Sequence, residues 1–221
     1  MINKSEKLKR AKAIQKILNK IYPQTPSPLD HKDNFTLLIS VLLSAQCTDV
    51  NVNNVTKDIY PKYNKPIHFV KLGRKKIEKL IKKIGLFRNK SKSVYLLSKI
   101  LVEKYNGRVP NTFEKLEELP GVGHKTASVV MSQGFGFPAF PVDTHIHRLA
   151  QRWRLTSGKN VVQTESDLKE LFPKGSWNKL HLQIIFYGRE YCTARGCNGL
   201  ICKICKLVNA DRKKAIKFKK A

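Results

Sequence analysis

Residues Asn34–Gln46 read NFTLLISVLLSAQ, a stretch without one charged side chain. As a helix it has almost no polar face to turn to water, so other elements must wrap it on most sides. The remaining segments look able to do so. Apolar residues recur at helical spacing at Leu8, Ala11, Ile14, Leu18 and Ile21, within a helix expected over Glu6–Ile21. They recur at Ile77, Leu80, Ile81 and Ile84, a helix read over Arg74–Ile84 that stops at Gly85 in a C-cap position. They recur again at Val94, Leu97, Ile100 and Leu101, over Ser91–Tyr105, with an end near Asn106–Gly107. Val50–Tyr60 reads as a helix capped by Asp49, and Thr112 as the cap of a short helix through Leu119. Further helices are expected over Lys125–Gln133, Thr144–Arg154, Thr164–Leu171 and Trp177–Tyr191. Pro23, Pro26 and Pro28 make Tyr22–Leu29 a linker. No segment alternates like a strand, so the expected fold class is all-α.

Charge narrows the partner. Lys plus Arg is 43 against 16 Asp plus Glu, a formal net charge of +27. At 41% hydrophobic residues the chain has enough apolar material for a core and is not a disordered polycation. A body with this charge attracts polyanions, so nucleic acid is the first partner to consider. A lysine-rich composition charges any surface protein, however, and motifs must carry the assignment. No apolar run approaches the ~18 residues of a membrane span. The N-terminal residues are charged from the start and lack a signal-peptide apolar block. The expectation is a cytoplasmic protein on the nucleoid, neither secreted nor in a membrane. The tail Arg212–Lys220 reads as a basic arm.

Leu119-Pro120-Gly121-Val122-Gly123 joins two helices. Pro120 stops the first, and Gly121 and Gly123 admit positive φ and close backbone approach. The first amides of the next helix then form an anion site, with no side chain in the way of a DNA phosphate. A grip of that kind carries no base information. Lys125 stands at the start of this second helix. A lysine there is either a phosphate contact or a nucleophile, and a nucleophile must react as the neutral amine. In PVDTHIHR, Asp143 falls where a helix begins. It can cap that helix, hold a carboxylate at a cleft mouth, or do both. His145 and His147 are two apart and face different ways, which suits no shared metal. His145 reads as a phosphate donor and His147 as structural. Cys47 reads as a small buried hydrophobe. The other four cysteines, Cys192, Cys197, Cys202 and Cys205, are spaced C-x4-C-x4-C-x2-C. Clustered cysteines in an intracellular chain read as metal ligands rather than disulfides.

LLSAQCTDVNVN (42–53), IGLFRNKSKSV (84–94), NGRVPNTFEKLEELPGVGHKTASVV (106–130), FPVDTHIHRL (140–149) and the Cys cluster together resemble the endonuclease III family of base-excision DNA glycosylases. The likeness runs over about residues 8–205 in the same order. It implies a two-domain helix-hairpin-helix glycosylase fold, with a cleft between its domains and a Cys-cluster loop near the C-terminus. One domain, a six-helix barrel with the hairpin, would span 27–137. The second would be formed by 1–26 and 138–221. The resemblance also implies that Lys125 is a Schiff-base nucleophile, that Asp143 assists it, and that Gln46 and Leu86 fill the gap left by a flipped base. Read from the residues alone, Gln46 simply caps its helix and Leu86 is core at a helix end. Adenine-mismatch relatives lack that lysine, so its presence points to a bifunctional glycosylase and AP lyase acting on oxidised pyrimidines. Its partner would be double-stranded DNA with a damaged or abasic site, and a monomer suits an enzyme that bends duplex. The family's cofactor is a 4Fe–4S cluster on Cys spaced C-x6-C-x2-C-x5-C, from which this chain departs. Zinc on the same four thiols is the local alternative. Two rival readings are a monofunctional adenine-mismatch-type glycosylase and a non-catalytic DNA-binding protein with a structural zinc. The preferred lesion is not legible.

Overall fold

A computed structural model of the chain describes residues 3–215 and 217–219. Among them are eleven α-helices and no strand. The chain divides into two compact units. One is Ser27–Phe137; the other is made by both chain ends, up to Pro26 and from Pro138 onward. No helix of the described residues is long and apolar enough to cross a membrane.

The unit 27–137 is built round α2 (Asn34–Ser44), in which every residue from Phe35 to Leu43 is buried. A fully buried large aliphatic side chain contributes roughly 1.5–3 kcal/mol. Leu37, Leu38, Ile39 and Leu43 therefore make α2 the energetic centre of this unit. Its start is held by a capping box. Thr36 N–H donates to Asp33 Oδ1 (2.8 Å) and Asp33 N–H donates to Thr36 Oγ1 (3.0 Å). Around α2 pack α3 (Asp49–Thr56), α5 (Phe87–Tyr105), α7 (His124–Val129) and the π-turn Val130–Gly134 that prolongs α7. Alongside α5 runs α4 (Pro66–Leu80), and α6 (Phe113–Glu117) lies against α7.

The unit formed by the chain ends comprises α1 (Lys4–Ile21), α8 (Thr144–Arg152), α9 (Val161–Leu171), α10 (Trp177–Glu190) and α11 (Lys203–Val208). Ala11, Ile14 and Leu18 of α1 share one core with Ile146, Leu149, Trp153, Leu180, Ile184 and Tyr187. All four clustered cysteines belong to this core. The basic tail is partly tied down. Gln151 donates to the Lys219 carbonyl (3.0 Å) and accepts from its N–H (2.8 Å), and Phe218 lies 5.3 Å from the Arg152 guanidinium. Ile216 and Lys220 of that tail fall outside the described residues.

Local details depart from the periodicity. The cap of α3 is Thr48, whose Oγ1 accepts from Asn51 N–H, and Asp49 takes the first helical position instead. A carboxylate is equally welcome there, at the positive end of the helix. The α3 helix stops at Thr56, and the expected remainder to Tyr60 is a series of turns. Within α4, Gly73 (φ 71°, ψ 159°) breaks the helix into two pieces. That backbone suits glycine and interrupts the hydrogen-bond ladder. The second piece ends at Leu80, four residues before the expected stop. Ile81 and Ile84 still reach the core from a turn, and Gly85 is no helix cap. The expected helix over Lys125–Gln133 widens into the π-turn after Val129. The short helix α11 has no counterpart in the pattern reading.

Candidate functional site

The hairpin is formed by α6, the LPGVG turn and α7. Thr112 caps α6 through Lys115 N–H, and Leu119 and Val122 anchor the turn in the core. Gly121 has φ 82°, and a Cβ there would lie 2.8 Å from Ser93 Cβ and Oγ and 3.1 Å from Leu42. Both conformation and space therefore demand glycine. Gly123 differs from the sequence expectation. Its backbone is extended (φ −95°, ψ 176°), so it needs no positive φ. What it offers is emptiness: it caps α7 with no side-chain hydrogen bond, and nothing lies within 4 Å of where its Cβ would sit. An anion can reach the first turn of α7 there. His124 stacks on Phe113 (5.8 Å), and its Nδ1 lies 2.8 Å from Glu117 Oε1, tying α7 back to α6. Lys125 is exposed on that first turn.

In the same unit, Gln46 and Leu86 occupy two neighbouring loops. Both are exposed, and both are non-glycine residues in the left-handed region, at φ 54° and 59°. Leu86 is 53% exposed, unlike a core leucine. Gln46 lies beyond the end of α2 at Ser44 and does not cap it. The loops touch. A Cβ on Gly85 would sit 3.4 Å from the Gln46 carbonyl, and Asn51 Nδ2 donates to Lys83 O (3.0 Å). Asn51 Nδ2 also reaches Cys47 Sγ (3.1 Å), and Cys47 is half-buried rather than core. Lys90, which sequence patterns do not single out, is buried here and donates to the carbonyls of Leu43 in the last turn of α2 and of Ala45 just before Gln46. Burial lowers its pKa from the ordinary lysine value, opposed by the neighbouring Cys47.

In the other unit, half-buried Asp143 is the N-cap of α8, and its Oδ1 accepts from Ile146 N–H (2.8 Å). Half-buried His145 sits with its Nδ1 3.3 Å from Arg148 Nη2. His147 is buried, with Nδ1 2.8 Å from Thr164 Oγ1. Cys192, Cys197, Cys202 and Cys205 are all buried, and their sulfurs lie within 4.8 Å of one another. Sulfurs 2.3 Å from a tetrahedral ion would stand about 3.8 Å apart, and Cys192 and Cys205 are separated by 3.8 Å. Four thiols are also the donor set of an iron–sulfur cluster, so the spacing matches a single ion and the donor set suits either group. Hydrogen bonds with Cys192 and Cys205 pull the Cys202 thiol down; the bond with Cys202 holds Cys192 up, and bonds with Cys192 and then Cys202 hold Cys205 up. Two arginines of α8 brace the loop, and neither drew attention in the sequence. Buried Arg152 donates to Cys192 Sγ (3.3 Å) and to the carbonyls of Cys192, Thr193 and Ala194. Arg148 donates to the carbonyls of Gly188 (3.1 Å) and Cys192 (3.0 Å).

Comparison with known proteins places this arrangement. Residues 39–174 match the model of the HhH-GPD superfamily of base excision DNA repair proteins. Endonuclease III of Bacillus subtilis (strain 168) is 40% identical over 207 residues, covering 92% of this chain and 94% of that protein. A non-covalent Endonuclease III–DNA complex superposes with a TM-score of 0.88 at 37% identity, over 95% of this chain and 96% of the other. A trapped Endonuclease III–DNA covalent intermediate superposes with a TM-score of 0.84, also at 37% identity, over 94% and 99%.

Proposed function

Because the chain belongs to the HhH-GPD superfamily of base excision DNA repair proteins, we propose that it is a bifunctional DNA glycosylase and AP lyase that removes oxidised pyrimidines from double-stranded DNA. Lys125 is its nucleophile and Asp143 the assisting carboxylate. What carries this reading is the hairpin, an uncapped helix start that an anion can approach, with Lys125 exposed on the same turn.

The chemistry follows from what must be reached. The sugar C1′ is hidden in a duplex, so the nucleotide is flipped out at a cost of a few kcal/mol, least for a damaged base. Amides of the hairpin hold a neighbouring phosphate, while Gln46 and Leu86 enter the gap. The neutral Lys125 amine attacks C1′. The glycosidic bond breaks, the base leaves with the bonding electrons and is protonated, and the amine loses a proton. The nitrogen lone pair then expels O4′ from C1′, and the sugar ring opens as O4′ takes a proton. The resulting iminium acidifies the C2′ proton, whose removal breaks the C3′–O bond, expels the 3′ phosphate and cuts the strand. Asp143 stabilises positive charge developing on the sugar and relays protons. His145 contributes to phosphate binding. Cys192, Cys197, Cys202 and Cys205 hold a 4Fe–4S cluster, with zinc the competing occupant. Once bound, either group fixes the loop 192–205 through four sulfur bonds.

Borohydride reduction during reaction with a duplex carrying one oxidised pyrimidine is expected to trap a covalent protein–DNA adduct. A denaturing gel should show strand cleavage without alkali. No adduct, with cleavage only after alkali, would establish a monofunctional enzyme; no base release at all would leave a DNA-binding protein.

Asp143→Asn separates chemistry from capping. Asparagine caps about as well as aspartate, so the melting temperature is expected to stay unchanged. Strand cleavage should fall by roughly 10²–10⁴-fold as the charge and proton relay are lost. An unchanged melting temperature with undiminished activity would confine Asp143 to the α8 cap.

A further inference from the structure

Two exposed side chains, Gln46 and Leu86, are presented from left-handed backbone, a conformation that non-glycine residues hold only when their surroundings impose it. The structure contains a residue positioned to impose it on both. Lys90 lies at the end of the first turn of α5 and is 6% exposed. Its Nζ donates to Leu43 O (2.9 Å) and Ala45 O (2.6 Å), the carbonyls at the end of α2 and immediately before Gln46. Its backbone N–H donates to Leu86 O (3.0 Å). The last turn of α2 has no basic residue of its own. Lys90 therefore supplies from another helix the cation that unpaired C-terminal carbonyls favour.

We propose that Lys90 is a positioning residue that locks Gln46 and Leu86 into one rigid two-pronged wedge. The assignment rests on the proposed reading of Gln46 and Leu86 as the residues that enter the gap left by the flipped nucleotide. Three ties join the prongs. The Lys90 ammonium fixes the Gln46 loop, the Lys90 amide fixes Leu86, and Asn51 joins the first loop to Lys83 of the second. The two loops also run close together: a Cβ placed on Gly85 would come within 3.4 Å of the Gln46 carbonyl. A wedge pre-set in this way meets the duplex without first being ordered, so less of the binding energy is spent on its own conformation.

The position predicts a substrate-dependent defect. Lys90→Met keeps the apolar stem and the backbone bond to Leu86 and removes every side-chain donor, so it tests the ammonium tie to the Gln46 loop. Single-turnover base release from a fully paired lesion should fall by about 10²-fold, the usual scale of a misplacement near 1 Å. Release of the same lesion from an unpaired bubble, which needs no wedge, should change little. The fluorescence rise of 2-aminopurine placed opposite the lesion should be lost in the variant. Lys90→Arg, which retains charge and donors, should recover part of the paired-duplex rate. If Lys90→Met does not fold, Lys90→Gln, which retains one donor group, is read in the same two assays. Equal losses on paired and bubble substrates, or no loss on either, would overturn the proposal. Absence of base release by the wild-type protein would instead strike the underlying glycosylase reading.

Discussion

Lys125→Ala is expected to lower single-turnover strand cleavage by about 10⁴-fold or more, the scale on which enzymes lose rate when a covalent nucleophile is removed. The borohydride-trapped adduct should disappear. Duplex binding should barely change. In the proposed reading the hairpin grips phosphate through backbone amides near Gly121 and Gly123, and none of these is altered. Lys125 also has a simpler role open to it, as one more cation on a phosphate. That role predicts different numbers. Loss of one neutralised phosphate reduces the salt slope of binding by about 0.9 and weakens affinity evenly across sequences, with chemistry preserved. Measuring both the cleavage rate and the salt dependence of Kd for Lys125→Ala therefore separates nucleophile from clamp. Lys125→Arg sharpens the contrast. It retains the charge, and with it the salt slope, but a guanidinium stays protonated and cannot attack.

The largest expected effect on stability belongs to Arg152. Its side chain is 1% exposed and makes four hydrogen bonds to residues 192–194, one of them to the Cys192 sulfur. Four thiolates on the proposed metal group would be anionic, and Arg152 is a buried cation bonded to one of their sulfurs. Arg152→Leu keeps volume and removes every donor, leaving three carbonyls and a sulfur without this partner. Breaking one side of such a buried charged arrangement costs about 3–5 kcal/mol. For a chain of this size that lowers Tm by roughly 6–20 °C. Iron and acid-labile sulfide per chain should fall with it; zinc with no sulfide in the wild-type protein would assign the site to a single ion. Arg152→Lys should rescue little, since one ammonium cannot reproduce a planar fork that meets several acceptors at once. An unchanged Tm and full metal content in Arg152→Leu would show that the loop 192–205 holds itself.

Some of this was written locally and some was not. The amino-acid sequence alone determined that α2 is the hub, because a segment without a polar face has nowhere else to go. It determined the caps Thr112 and Asp143, since each depends on neighbours three residues away, and the positive φ of the glycine at 121, which the turn sets locally; that Ser93 and Leu42 also leave no room for a Cβ there only the tertiary structure shows. It singled out the four cysteines that meet. It overran the C-terminal ends of α3 and α4, which stop at Thr56 and Leu80 rather than Tyr60 and Ile84, it took Asp49 for the cap where Thr48 serves, and it missed the piece of α4 before Gly73, because competing short-range signals are settled by packing. Gln46 and Leu86 could be named from resemblance, but their shared left-handed backbone could not. Lys90 and Arg152 were illegible. In the sequence each is one more cation in a chain at +27. Lys90 becomes a lock only by meeting Leu43, 47 positions back, and Arg152 a brace only by meeting Cys192, 40 positions ahead. Side-chain periodicity reports on a helix's own turns. The partners that make a buried charge tolerable lie on other helices, and only the tertiary structure decides which helices those are.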